Sequence, residues 1–148
     1  MNSSLSKVIT ILGVTSSGKT GLAIELAKKF KGEIVSADSR QIYKEFNIGT
    51  AKPEGHRMSL NGHKEFIYKD IAHYLIDEIS PTEDFTLSQY QKSATEKLKE
   101  IISHGKTPFL VGGTPLYLKA VLENWHIPEV KPNLRLRAEL EKKSALEL

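Results

Sequence analysis

The chain contains no cysteine, which excludes disulfides and thiolate metal sites. No apolar run approaches the roughly 18 residues of a membrane span. The opening residues, Met1-Asn2-Ser3-Ser4-Leu5-Ser6-Lys7, lack the apolar core of a secretory signal. Cytoplasmic residence and no membrane partner are therefore expected. Neither sign of charge dominates: the net charge is +3, and the lysines are spread along the chain. A nucleic-acid partner is permitted by this balance without being singled out. There are no internal repeats and no low-complexity segments. What remains is an ordinary globular composition, 39% hydrophobic and 26% charged over 148 residues, enough for one domain with a buried core.

One stretch organises the rest. Gly13-Val14-Thr15-Ser16-Ser17-Gly18-Lys19-Thr20 follows a β-type run, Val8-Ile9-Thr10-Ile11-Leu12, and opens a helix-type run, Leu22-Ala23-Ile24-Glu25-Leu26-Ala27. This is a P-loop pattern in its required context of strand, Gly-rich turn and helix. Its glycines let successive backbone N–H groups turn inward towards phosphate oxygens. The helix start adds its positive end, Lys19 reaches the outer phosphate, and the Thr20 hydroxyl is placed to ligate Mg²⁺. A di- or triphosphate is the expected ligand.

Lys28-Lys29-Phe30-Lys31-Gly32 reads as a helix end. Strands are expected at Glu33–Asp38, His73–Asp77 and Thr107–Val111. Residues 55–70 read as a loop with a brief extended piece at Phe66-Ile67-Tyr68. Phe85, Tyr90, Ala94, Leu98, Ile101 and Ile102 have helical spacing up to Gly105, with an entry at Thr82-Glu83-Asp84. Leu116–Leu122 is a short apolar helix, and 133–148 reads as a charged amphipathic helix whose period still runs at Leu148. Strands alternating with helices imply an α/β fold, a parallel sheet with helices on both faces. Ligands then bind at the carboxyl ends of the strands. The P-loop, Asp38, Asp77 and Gly112-Gly113-Thr114 all fall on that rim.

Asp38 has three readings: a Mg²⁺-binding carboxylate of a kinase or NTPase, a general base, or a helix N-cap. Ser39, Arg40 and Gln41 beside it offer groups suited to a base edge or ribose-phosphate. The strand before Gly112 does not end in Asp, which speaks against an ordinary NTPase metal site there. The Thr114 hydroxyl suits a phosphate oxygen or leaving group. His73 and Asp77, four apart on one β-run, read as a core pair in the absence of a third ligand. Arg135 and Arg137 suit a solvated face or contact with an anionic partner.

Taken together, GVTSSGKT (13–20), SADSRQIY (36–43), IGTAKP (48–53), HYLID (73–77) and GGTPLYLKAVL (112–122) resemble the tRNA dimethylallyltransferases, or tRNA isopentenyltransferases. Members are about twice as long, so the resemblance covers the amino-terminal half. It implies a P-loop NTPase-like core over 1–124 and the start of a helical tRNA-binding insertion over 125–148. It further implies transfer of a dimethylallyl group from dimethylallyl diphosphate to N6 of an adenosine beside the tRNA anticodon. On that reading residues 13–20 (Gly13, Val14, Thr15, Ser16, Ser17, Gly18, Lys19, Thr20) bind the diphosphate, Thr20 holds Mg²⁺, and Asp38 and Thr114 are catalytic. Asp38, Ser39, Arg40, Gln41, Thr114 and Arg135 contact the tRNA anticodon stem-loop, and the full-length protein is a monomer. The sequence departs from the family at Val14, Tyr74 and Pro115, where Pro, His, and Gly or Met are usual. Alternatives are an isopentenyltransferase acting on free AMP, ADP or ATP, a small P-loop kinase, and a catalytically idle binding fragment.

Overall fold

The chain forms a six-stranded sheet flanked by helices, seen in a computed structural model that describes residues 7–60, 63–128 and 132–147. The elements are β1 (Ile9–Leu12), α1 (Lys19–Phe30), β2 (Gly32–Ser36), β3 (His56–Leu60), β4 (His63–Tyr68), β5 (Ile71–Tyr74), α2 (Leu87–Ser103), β6 (Thr107–Gly112), α3 (Pro115–Leu122) and α4 (Leu134–Leu140). Strand order is β1-β6-β2-β5-β4-β3. The first four strands run parallel, and β4 and β3 extend the sheet antiparallel. The expected parallel sheet is thus the core of a mixed one.

Successive side chains of a strand point to opposite faces, so neighbours in β2 and β6 divide between two cores. Ile34, Phe109 and Val111 pack with Ala23, Ile24 and Ala27 of α1. Val35 and Leu110 pack on the other face with Tyr90, Ala94, Leu98 and Ile101 of α2 and with Leu118 and Val121 of α3. Tyr90 and Tyr117 stack there at 3.8 Å between ring centroids. Full burial of a side chain such as Leu98 or Phe109 contributes about 1.5–3 kcal/mol. Both faces of β2 and β6 are therefore dry at their centres, which explains the adjacent apolar residues Ile34-Val35 and Phe109-Leu110-Val111. β1 is an edge strand and leaves Ile9 and Leu12 exposed.

Four local expectations change. The stretch 55–70, read as a loop, carries two antiparallel strands, β3 and β4, with Arg57 opposite Phe66 and Met58 opposite Glu65. β5 stops at Tyr74 because Leu75 and Asp77 take left-handed conformations, φ 56° at each. Asp77 therefore does not share a strand face with His73. The entry to α2 lies at Thr86, whose side chain accepts from Gln89 N while the Gln89 side chain accepts from Thr86 N, a capping box. Finally, α4 is one short helix over Leu134–Leu140 with no buried residue, capped by the Asn133 side chain. A helix this short gains little without a packed face. The chain then makes a separate turn in which Ser144 N and Oγ donate to Glu147.

Candidate active site

The cradle is built where β1 turns into α1. Ser16 and Gly18 hold left-handed conformations, φ 63° and 83°, which curl the loop. Gly18 caps α1 without a side-chain hydrogen bond, and no acidic residue lies in the first turn. The first amides of α1 are thus left for an anion, at the positive end of a twelve-residue helix. Lys19 folds back so that Nζ donates to Val14 O at 2.5 Å, holding its ammonium over the loop. Val14 contributes its carbonyl to this arrangement while its side chain is exposed.

Residues 15–21 line a cavity of about 300 Å³ together with Asp38, Gln41, Ala51, Val111 and Gly112. Asp38 follows β2 and accepts through Oδ1 from Arg40 N at 2.9 Å and Gln41 N at 3.2 Å. One carboxylate oxygen thus fixes the loop, and the residue as a whole faces the anion cradle. An adjoining recess is lined by Thr15, Asp38, Ser39, Arg40, Gly49, Thr50, Gly113 and Thr114. In it Thr114 Oγ1 accepts from Ser39 N at 3.1 Å and donates to Ser39 Oγ at 3.4 Å. Ser39 and Thr114, 75 positions apart, are locked together at the sheet edge. Pro115 occupies the first turn of α3, where its missing N–H costs nothing.

Gly112 ends β6 and Gly113 follows it, and both are there for close approach. A Cβ on Gly112 would lie 2.1 Å from Ala37 O, and one on Gly113 would lie 3.2 Å from Gly13 O. Ala37 N donates to Val111 O at 2.7 Å, and Thr114 N to Ala37 O at 3.1 Å. These bonds bring the Asp38 and Thr114 loops into one rim.

The segment after Asp38 is held from the side by Asp77. Lys52 Nζ, almost wholly buried, donates to Asp77 Oδ1 at 2.9 Å and to Tyr43 O at 2.6 Å. Arg57 Nε lies 3.7 Å from Asp77 Oδ2. Asp77 N donates to Gln41 O, and Gln41 Nε2 to Thr50 O at 2.9 Å. Asp77 is thus an anchor beside the rim and does not line either cavity. Lys52→Met is expected to lower stability by about 2–3 kcal/mol, less than for a fully buried pair because Asp77 is partly exposed. Urea denaturation would measure it.

Of the residues expected at the site, 15–20, Asp38, Ser39, Arg40, Gln41 and Thr114 are brought together, with Gly13 against Gly113. Arg135 is not among them: it sits on α4, exposed, paired with Glu139 at 3.2 Å. Gly49, Thr50 and Ala51, to which the sequence assigns no individual role, also line the cavities. The signal was IGTAKP: Gly49 and Ala51 have positive φ, 76° and 52°, a turn that aims the segment at the cradle. Tyr74, the remaining departure, lies outside the site and donates to Glu33 at 3.0 Å and Glu65 at 3.3 Å. Burial and these two carboxylates raise its pKa.

A largely parallel α/β sheet with a strand–loop–helix turn at its carboxyl edge defines a P-loop NTPase-like fold. Comparison with known proteins narrows this. The family model described as IPP transferase matches residues 41–148, and the chain belongs to that family. It is 48% identical over 133 residues to a tRNA dimethylallyltransferase of Cyanothece sp., covering 90% of this chain and 41% of that protein. The full-length tRNA isopentenylpyrophosphate transferase of Bacillus halodurans superposes with a TM-score of 0.70 at 36% identity, over 92% of this chain and 42% of that one. A eukaryotic dimethylallyltransferase acting on tRNA gives 0.68 at 27% identity, over 94% and 33%. The chain thus spans about two fifths of the length of the curated relatives it matches. Among the described residues no helix is long and apolar enough to cross a membrane.

Proposed function

We propose that this chain carries the amino-terminal part of a tRNA dimethylallyltransferase. The reaction moves the dimethylallyl group from dimethylallyl diphosphate to N6 of an adenosine beside the anticodon of a tRNA. The observation that carries this reading is the single cavity shared by the anion cradle and Asp38, in a chain of the IPP transferase family.

The diphosphate rests on the amides of residues 15–20, with Lys19 turning from Val14 O onto a phosphate oxygen. Charge grows on the diphosphate as the allylic C–O bond breaks, and the preorganised amides and ammonium stabilise it most at that point. The exocyclic amine is a weak nucleophile. Asp38 takes its proton as the new C–N bond forms, with its carboxylate fixed by Arg40 N and Gln41 N. Thr114, locked to Ser39, faces the leaving oxygen, and Arg40 and Gln41 line the approach of the tRNA base. Segment 125–148, with α4 unburied and Arg135 exposed, begins the helical part that grips the tRNA.

A magnesium ion suits the donor set. Among the described residues no three His, Asp or Glu cluster, but Mg²⁺ needs only one or two protein oxygens besides phosphates and water. Thr20, lining the cavity that Asp38 also faces, supplies a hard oxygen. When bound, the ion neutralises diphosphate charge.

The phosphate half of the reading is tested by calorimetry with inorganic pyrophosphate and Mg²⁺. Lys19→Ala is expected to weaken binding at least about tenfold, as for loss of a charge-assisted hydrogen bond of about 1.5–3 kcal/mol. Unchanged affinity would remove the diphosphate from this loop. Competition between an anticodon stem-loop and AMP as acceptors of labelled dimethylallyl groups then decides the acceptor, with transfer to RNA expected.

A further inference from the structure

His73 lies in β5 with its side chain buried, 3% exposed, between the rings of Phe66 and Tyr68. Its Nδ1 is 2.9 Å from Ile71 O. A carbonyl only accepts, so Nδ1 carries the proton and donates. Burial lowers the pKa of the ring and keeps it neutral. Nε2 is therefore a bare acceptor, and among the described residues it has no hydrogen-bond partner. Such a group is costly to bury unless something donates to it.

His73 lines a small cavity of about 20 Å³ of water-accessible space, room for a single water. The other polar residues on its wall are Thr20, Ser36 and Gln41; the rest, such as Ile34, Ile76 and Val111, are apolar. Thr20, Gln41 and Val111 also line the cavity that holds the anion cradle. The two cavities therefore adjoin, and Thr20, Gln41 and Val111 line both.

We propose that His73 is a positioning residue that acts on Thr20 through one buried water. Nε2 accepts a hydrogen from the water, which leaves the water oxygen facing Thr20 as an acceptor. The Thr20 hydroxyl donates its hydrogen to that water, so its lone pairs face the cradle. A hydroxyl turned this way is prepared to ligate a hard cation bound with a phosphate. The water's second hydrogen finds an oxygen of Ser36 or Gln41. This rests on the diphosphate reading of the cradle above, and it adds a residue from the centre of the sheet to the metal's outer support.

The test is pyrophosphate affinity of the whole chain, measured by calorimetry with and without Mg²⁺, for the parent and for His73→Asn, His73→Phe and His73→Gln. Asn keeps a donor near the Nδ1 position and loses the acceptor, Phe loses both, and Gln returns an acceptor near the Nε2 position. Asn and Phe are expected to reduce the Mg²⁺-dependent part of the affinity by about 10-fold or more, leaving metal-free binding within about twofold of the parent. Gln is expected to recover most of the metal-dependent part. Equal loss with and without Mg²⁺, or no loss in Asn and Phe, overturns the proposal and leaves the diphosphate reading standing. A parent that binds no pyrophosphate overturns both. An imidazole ¹⁵N spectrum of the parent checks the same point without any variant. A proton on Nδ1 with hydrogen-bonded Nε2 is expected, and a proton on Nε2 contradicts the proposal.

Discussion

Asp38→Asn is expected to lower dimethylallyl transfer by about 10²–10⁴-fold, the range for loss of a general base, while pyrophosphate binding stays near the parent value. The amide is chosen because of what Asp38 does besides accept a proton. Its Oδ1 accepts from Arg40 N and Gln41 N, and an Asn oxygen can keep both bonds. The loop that carries Ser39 to Gln41 therefore retains its shape, and only basicity is removed. Asp38→Ala would confuse the two contributions by also freeing those amides. The assay is transfer of label from dimethylallyl diphosphate to an anticodon stem-loop, with binding measured in parallel. Equal transfer by the Asn variant would refute the base assignment. Loss of binding together with transfer would instead make Asp38 a structural residue of the cradle.

Gly112→Ala is expected to cost about 3 kcal/mol or more, beyond the usual range for overpacking, because the obstacle is backbone. The added carbon would lie 2.1 Å from Ala37 O and 2.3 Å from its carbonyl carbon, and neither atom can rotate away. Relief requires β2 and β6 to part at their ends, which breaks the bonds from Ala37 N to Val111 O and from Thr114 N to Ala37 O. For a chain of this size the melting temperature should fall by roughly 10 °C. Gly21→Ala is the control: it lies inside α1, and a Cβ there meets nothing within 4 Å. It should be neutral or raise stability by about 0.5–1 kcal/mol. Thermal unfolding followed by circular dichroism measures both. A tolerated Gly112→Ala would contradict the close approach that brings the Asp38 and Thr114 loops together.

The parts of the site that were legible in the sequence are those with local chemistry. Strand, glycine turn, lysine and helix follow one another within residues 8–27, so the cradle could be read without any long-range contact. Asp38 and Thr114 could be placed on one rim because parallel α/β topology sends every strand's carboxyl end the same way. β3 is hard to read in the sequence because His56-Arg57-Met58-Ser59-Leu60 offers only two apolar residues, Met58 and Leu60, too short an alternation to stand out. A signal was present nevertheless: Asn61-Gly62 between two candidate runs is a strong short-range hairpin cue. The end of β5 before Asp77 is hidden in the sequence for a different reason. Its run of apolar neighbours continues the strand pattern, and the left-handed turn at Leu75 has no glycine to announce it. Pairings such as Lys52 with Asp77, or Ser39 with Thr114, depend on tertiary approach and leave no trace in spacing.

In the proposed reaction the leaving diphosphate and the base address a single cavity, lined by the P-loop and by Asp38. The most direct measurement is a crystal structure of the chain with Mg²⁺ and the unreactive thio analogue of dimethylallyl diphosphate. The diphosphate should lie on the amides of residues 15–20, with Lys19 turned off Val14 O and the allylic carbon directed towards Asp38 and Thr114. A diphosphate bound away from that loop, or an allylic end turned from Asp38 into solvent, would contradict it.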